Sequence, residues 1–575
     1  MAVVAVPLKE ETTEFRTCPV TGLKVDLAAE RLIIANAVAA VVCLLIGGVF
    51  ALLLALTRWQ AIHLLPPDWF YRVLTGHGID MLVAWIVFFE IAGLYFGSAV
   101  LLNARLVQPK LGWLAFVLMA GGAILINVMV LLGKADVLFT AYIPLKAHPL
   151  FYLGIVLFAV GALIGVGLFF ATVIMAKVEK QYEGSLPLVT YGLMTAAIIA
   201  TYTLLSGALA FVPALFWSLG WMSTYDPAFY RNLFWSFGHP AQQINLAAMV
   251  AIWYALAGIT VGAVPLNEKL SRTAFILYIL FINLGSAHHL LVDPGPGFVW
   301  KVTNTSYAMY LAVLGSLIHA FSIPAAVEVA LRRKGHKQGL LGWLRRGPWG
   351  EPGFAALVIS MVLFGWIGGV TGVVIGTEQI NMTAHNTMRL PGHFHATVVS
   401  GTTLAFMGLT YYLIPLIFRK KLKLKKLAQW QPYVFGFGML LVSVGMIASG
   451  LQGVSRRHWD ITFAQAPFKA AIPSTANLTL AIMGVGAVIA IVGGIMFMLV
   501  VLISVFTGKR VEANRLTLVM DQANPLVDGA GNIGKEAEGD ERPRGTFVIV
   551  LAFLAFFVVY YLSNWWLLGR SWIIR

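Results

Sequence analysis

The chain has 575 residues, 59% of them hydrophobic and only 11% charged, with a mean hydropathy of +0.82, a balance that excludes a soluble globular domain and requires an all-α polytopic membrane protein. The formal net charge of +15 would suit a nucleic-acid binder only if the basic residues formed one patch. Instead, runs such as LRRKGHK (331–337) and RKKLKLKK (419–426) gather in loops on one side of the alternating spans, so the charge reports orientation and no nucleic-acid partner is expected.

In chain order, residues 1–31 read as a retained cytoplasmic tail, too polar for a signal peptide. Thirteen apolar runs long enough to cross a bilayer follow. They lie near 32–57, 74–101, 112–133, 150–176, 189–218, 233–262, 273–292, 305–331, 354–376, 392–418, 432–452, 474–507 and 545–568. The first twelve form a transmembrane core over 32–507. A polar, Gly-rich cytoplasmic linker over 508–544 leads to an additional helix at 545–575, which ends on the outer side. Cys18 and Cys43 are the only cysteines. Neither a disulfide framework nor a cysteine-based metal site is expected, and no CxxCH motif attaches a haem covalently.

Ionisable groups inside a bilayer are costly, so each marks a candidate site. With spans alternating outward and inward from a cytoplasmic N-terminus, six histidines reach the outer part of the membrane: His77 on span two, His239 on span six, His288 and His289 on span seven, and His393 and His395 on span ten. Imidazole is a common ligand of iron and copper, and six at one depth point to a shared redox-metal layer. Positions i and i+2 of a helix differ by about 200°, so His393 and His395 face opposite sides and serve two metals. His288 and His289 are about 100° apart and reach one ion, with His239 as a third ligand. His77 opposite His395 closes both axial positions of a haem.

Arg456 and Arg457 follow span eleven on the same side, where guanidinium groups pair with haem propionates. His385 and Asn386 are further candidates for bonding propionates or water. On span eight, Ser316, His319 and Ser322 recur at helical spacing and offer a proton relay, with the alternative that they bond only to neighbouring backbone. Asp80, one turn from His77, offers a hydrogen-bond partner near the haem. Glu90 is a second acid in span two, and Glu328 lies near the inner end of span eight, where protons would enter.

The motifs FGHP (237–240), HHLLVDPG (288–295), HNTMRLPGHFH (385–395) and SRR (455–457), with His77 and the thirteenth span, resemble subunit I of the haem–copper oxidases. The likeness is to the B-family cytochrome c oxidases and runs over nearly the whole chain. It implies the subunit I fold, with a low-spin haem, b-type, on His77 and His395 and a high-spin haem, a-type or b-type, on His393. Copper B falls to His239, His288 and His289. It also implies a respiratory enzyme in a prokaryotic cytoplasmic membrane that reduces dioxygen to water with proton uptake. Electrons would come from cytochrome c or a similar donor through a cupredoxin-like subunit II carrying copper A. Tyr254 and Ser316 match the single B-family proton channel, whereas Ala241 stands where a glutamate would mark a second one.

One departure bears on the reaction. Related oxidases carry a tyrosine four residues after the span-six histidine, where this chain has Gln243. A second branch places it six residues before the first span-seven histidine, where this chain has Ile282. Tyr278, about 15 Å from His288 along a helix, lies too far away to replace it. An amide supplies neither the electron nor the proton of a phenol. Nitric oxide reduction to nitrous oxide, which needs only two electrons, is therefore the alternative reaction.

Overall fold

The computed structural model describes residues 14–18, 21–281, 284–511 and 542–571. Two short strands, Phe15–Thr17 and Lys24–Asp26, pair antiparallel ahead of the first helix. Asp26 ends the hairpin and caps that helix, accepting from the Ala28 and Ala29 amides. Glu30, one turn on, is clasped by Arg16 and Arg419, which ties the hairpin to the end of a distant helix.

The thirteen apolar runs become α1 (Leu27–Arg58), α2 (Pro67–Val100), α3 (Pro109–Leu131), α4 (Pro149–Val178), α5 (Leu188–Leu219), α6 (Pro227–Val261), α7 (Glu268–Phe281), α8 (Phe298–Arg333), α9 (Pro352–Ile375), α10 (Arg389–Leu416), α11 (Lys425–Leu451), α12 (Thr475–Thr507) and α13 (Arg544–Ser571). Proline opens α2, α3, α4, α6 and α9, where its missing N–H costs nothing. Among the described residues twelve of these helices are long and apolar enough to cross a membrane.

The exception is the seventh run, expected as one helix over 273–292. Among the described residues α7 is helical over Glu268–Phe281, and the histidine pair sits not on an α-helix but on a 3₁₀ turn, Leu284–Leu290. A single rod would fix both rings by helical geometry alone. The turn lets Gly285 approach His288 and sets both rings against α6. Ile282 lies outside the described residues, as does 512–541 within the expected linker.

Burial identifies the centre of the bundle. The most apolar windows of α2, α6 and α10 are 78%, 94% and 89% buried, against 33% for α12 and 11% for α13. These three helices carry His77, His239, His393 and His395. Around them helices approach closely through small residues: a Cβ added at Gly122 on α3 would lie 2.4 Å from the Gly154 carbonyl on α4, a spacing only glycine permits.

Glu328 is not free at the inner end of α8. Its carboxylate accepts from the Gly545 and Thr546 amides at 2.9 and 2.6 Å, from the Thr546 hydroxyl at 2.7 Å and from Arg332 Nε at 2.7 Å. It caps the first turn of α13, where a negative charge is favoured. Its observed bonds are those of a helix cap. At the other end of α13, Asn564 accepts from the buried Arg389 on α10 at 2.6 Å.

Candidate metal centres

α6 presents one face with Trp235, His239 and Gln243 at intervals of four residues. The 3₁₀ turn brings His288 and His289 against it. His239 Nδ1 lies 2.9 Å from His289 Nε2, and the ring centres are 4.1 Å apart for His239 and His288 and 4.3 Å for His288 and His289. One nitrogen from each ring lies within 4.8 Å of the others. Metal–nitrogen bonds of about 2 Å suit that spacing, so the trio fits one ion.

A ligating histidine is oriented by what its other nitrogen bonds. His288 Nδ1–H donates to the Gly285 carbonyl, and His393 Nδ1–H donates to the Gly368 carbonyl at 2.8 Å. His77 Nδ1–H donates to Gly47 at 3.0 Å and His395 Nδ1–H to Pro391 at 2.7 Å. These four rings therefore offer Nε2 to a metal. His239 differs: its Nε2 lies 2.7 Å from the Gln243 amide, and Nδ1 faces the other two rings.

His77 and His395 face each other with ring centres 6.2 Å apart and planes 15° from parallel. Two imidazoles on one iron, at about 2 Å per bond, require ring centres about 6 Å apart, so His77 and His395 would hold one haem iron between them. His393 turns the other way, as the i, i+2 spacing requires, and lines a cavity of about 350 Å³ together with the trio. A Cβ at Gly372 would meet its Cε1 at 2.5 Å, so α9 leaves a cradle for that ring. The helix widens into a π-turn over His395–Thr403, a distortion common at functional sites.

Arg456 and Arg457 stand over this layer. The Arg58 side chain at the end of α1 donates to the carbonyls of Ser455 and Arg456 and pins the loop. Burial, then Arg457, hold Arg456 down to about 9, and burial lowers Arg457 as well. The neighbouring carboxylate, Asp293, is taken by Arg231 through two bonds of 2.6 and 2.9 Å. Arg456 Nε is sealed from solvent without a partner. Among the described residues neither guanidinium pairs with a carboxylate, and two such groups in this place fit the propionates of a haem. His385 lines the same cavity, held down to about 4 by burial and Arg456. Asn386 enters through its backbone: at φ +59 its carbonyl accepts from the Arg456 amide at 2.9 Å.

Three of the four residues expected to relay protons, Tyr254, His319 and Ser322, also meet. The Tyr254 hydroxyl lies 2.9 Å from Ser271 Oγ and 3.0 Å from His319 Nδ1, and Ser322 bonds the same hydroxyl. Ser316 Oγ lies 3.0 Å from the Tyr278 hydroxyl. His319, Ser316 and Tyr278 all line the cavity of the trio. Tyr278 lies on α7, upstream of the turn that carries the histidine pair. Asp80 does not bond His77; its Oδ1 accepts from Asn127 on α3 at 2.9 Å. Glu90 is buried, with Oε1 unpartnered.

Two aromatic residues escaped the sequence reading. The Trp235 ring stacks on His289, with centres 3.7 Å apart and planes within 4°. Its Nε1–H donates to the Tyr142 hydroxyl at 2.7 Å, and Arg231 lies over the Tyr142 ring at 4.3 Å. The available signal was the i, i+4 spacing of Trp235 and His239 on one helix face.

Residues 31–496 match the family described as Cytochrome C and Quinol oxidase polypeptide I. The chain is 32% identical over 422 residues to cytochrome c oxidase subunit 1 of Thermus thermophilus, covering 71% of this chain and 72% of that one. It is 24% identical over 449 residues to quinol oxidase subunit 1 of Bacillus subtilis, covering 73% and 64%. Among solved structures, a heme-copper terminal oxidase dimer is similar with a TM-score of 0.80 at 25% identity, covering 94% of this chain and 92% of that one.

Proposed function

The chain belongs to the cytochrome c and quinol oxidase polypeptide I family, subunit I of the haem–copper oxidases, and from that premise we propose that it is the catalytic subunit of a respiratory terminal reductase that converts dioxygen to water. Membership makes it an integral membrane oxidoreductase of electron transport, for which haem and copper are the fitting cofactors. His77 and His395 would hold the low-spin haem, His393 the high-spin haem, and His239, His288 and His289 copper B. When bound, these groups supply one-electron transfer and reduction of a diatomic gas.

The protein's own residues do the rest. Arg456 and Arg457 balance propionate charge. The Tyr254 hydroxyl joins Ser271, His319 and Ser322 on the inner side of the cavity, and Ser316, bonded to Tyr278, stands further along its wall. That order suits proton delivery to the buried pocket, where electrons cannot accumulate without compensating charge. Electrons would enter from a cupredoxin-like subunit carrying copper A, served by cytochrome c or a similar donor, on the outer face of a prokaryotic cytoplasmic membrane. The N-terminus is then cytoplasmic and the C-terminus outside.

The observation that carries dioxygen over other gases is the stacked Trp235, bonded to Tyr142. It sets an oxidisable indole in van der Waals contact with a copper ligand, where it can give the electron that the Gln243 amide cannot. The second reading, nitric oxide reduction, is favoured by Gln243 itself, which takes the His239 ring edge where related oxidases carry a phenol. Supplying the reduced, purified complex with each gas separately tests the choice. Rapid oxygen consumption to water is expected; nitrous oxide release with negligible oxygen turnover would select the second reading.

A further inference from the structure

Five of the six candidate ligand rings are oriented by backbone carbonyls or by neighbouring ligand and aromatic rings, and His239 alone has an amide side chain at its second nitrogen. We infer that Gln243 is the positioning residue for copper B, holding His239 with Nδ1 toward the ion by a hydrogen bond to the ring's other nitrogen. This rests on the copper reading above.

Neutral imidazole carries one N–H and one lone pair. If the Gln243 NH₂ donates to His239 Nε2, the ring proton sits on Nδ1 and is directed at His289 Nε2, 2.9 Å away. His239 then has no lone pair for a metal. An amide turned by 180° has nearly the same outline. Turned so, Gln243 Oε1 accepts from Nε2–H, and the Nδ1 lone pair is free to ligate. In the first orientation Gln243 Oε1 is buried without a partner, so the carbonyl end is the available one. A side chain that both donates and accepts can therefore serve the empty and the metal-bound tautomers by rotating in place. A phenyl, alkyl or purely acidic group cannot serve both.

The test is copper retention by the purified complex, counted per haem during titration with a copper chelator. Gln243→Leu removes both roles and should weaken copper binding by about 10- to 100-fold, the usual effect of losing a ligand's orienting partner, with both haems retained. Gln243→Glu keeps an acceptor and should hold copper at least as tightly as the unmodified protein. Gln243→Met repeats the loss with a side chain of similar length, in case leucine costs haem as well. Equal copper retention in the leucine and methionine variants, or loss in the glutamate variant as deep as in leucine, overturns the inference while leaving the copper reading intact. Absence of any non-haem metal from the unmodified complex defeats both.

Discussion

Replacing Glu328 by alanine separates a helix cap from a proton entrance. Four bonds end on this fully buried carboxylate, from Arg332 Nε, the Gly545 and Thr546 amides and the Thr546 hydroxyl. Removing one partner of a buried ion pair costs about 3–5 kcal/mol. Arg332 keeps the carbonyls of Lys337, Gly339 and Leu340, which places the loss near the lower end, about 3 kcal/mol, with the lost cap included. At 1.4 kcal/mol per tenfold, that shifts undocking of the first turn of α13 by about 10². Hydrogen exchange read by mass spectrometry at residues 545 and 546 should quicken by that factor in Glu328→Ala and by less in Glu328→Gln, which retains acceptors. Turnover should fall no further than the loss of intact protein explains. Unchanged protection at these amides, together with collapsed turnover in both variants, would refute the cap and restore the proton entrance.

Tyr254→Phe removes the hydroxyl that joins Ser271 to His319 and should slow turnover by about 10², the contribution of a positioned proton-transfer group, with haem spectra unaltered. Trp235→Phe keeps the stack on His289 but loses the oxidisable indole and its bond to Tyr142; oxygen turnover should fall while nitric oxide turnover, assayed in parallel, does not. Arg456→Met removes a cation beside the proposed propionates, so redox titration should find a haem midpoint moved to more negative potential, because a nearby positive charge favours the reduced form.

Much of this was legible because transmembrane helices convert sequence spacing into depth and direction. His393 and His395 diverge as their i, i+2 separation requires, and span alternation brings His77, His239, His288 and His289 to the same layer. Arg456 and Arg457 fall beside that layer for the same reason. The 3₁₀ turn after α7 was not legible, since an apolar run shows no difference between a rod and a rod followed by a tight turn. Pairings across long sequence distance were equally hidden. Asp80 finds Asn127 instead of His77, and Glu328 finds α13, because buried carboxylates take whichever donor packing brings near. Trp235 and Gln243 flank His239 at four-residue intervals, so their shared face could have been read, but not that one would stack on a second ligand and the other bond the first.

Metal analysis of the purified complex with its optical spectrum tests the central claim most directly. Two haem irons and one copper per chain are expected, with one haem showing a bis-histidine spectrum that His77→Ala abolishes while copper stays. A complex with no haem, or with both haems and no non-haem metal, would contradict the assignment of these six histidines.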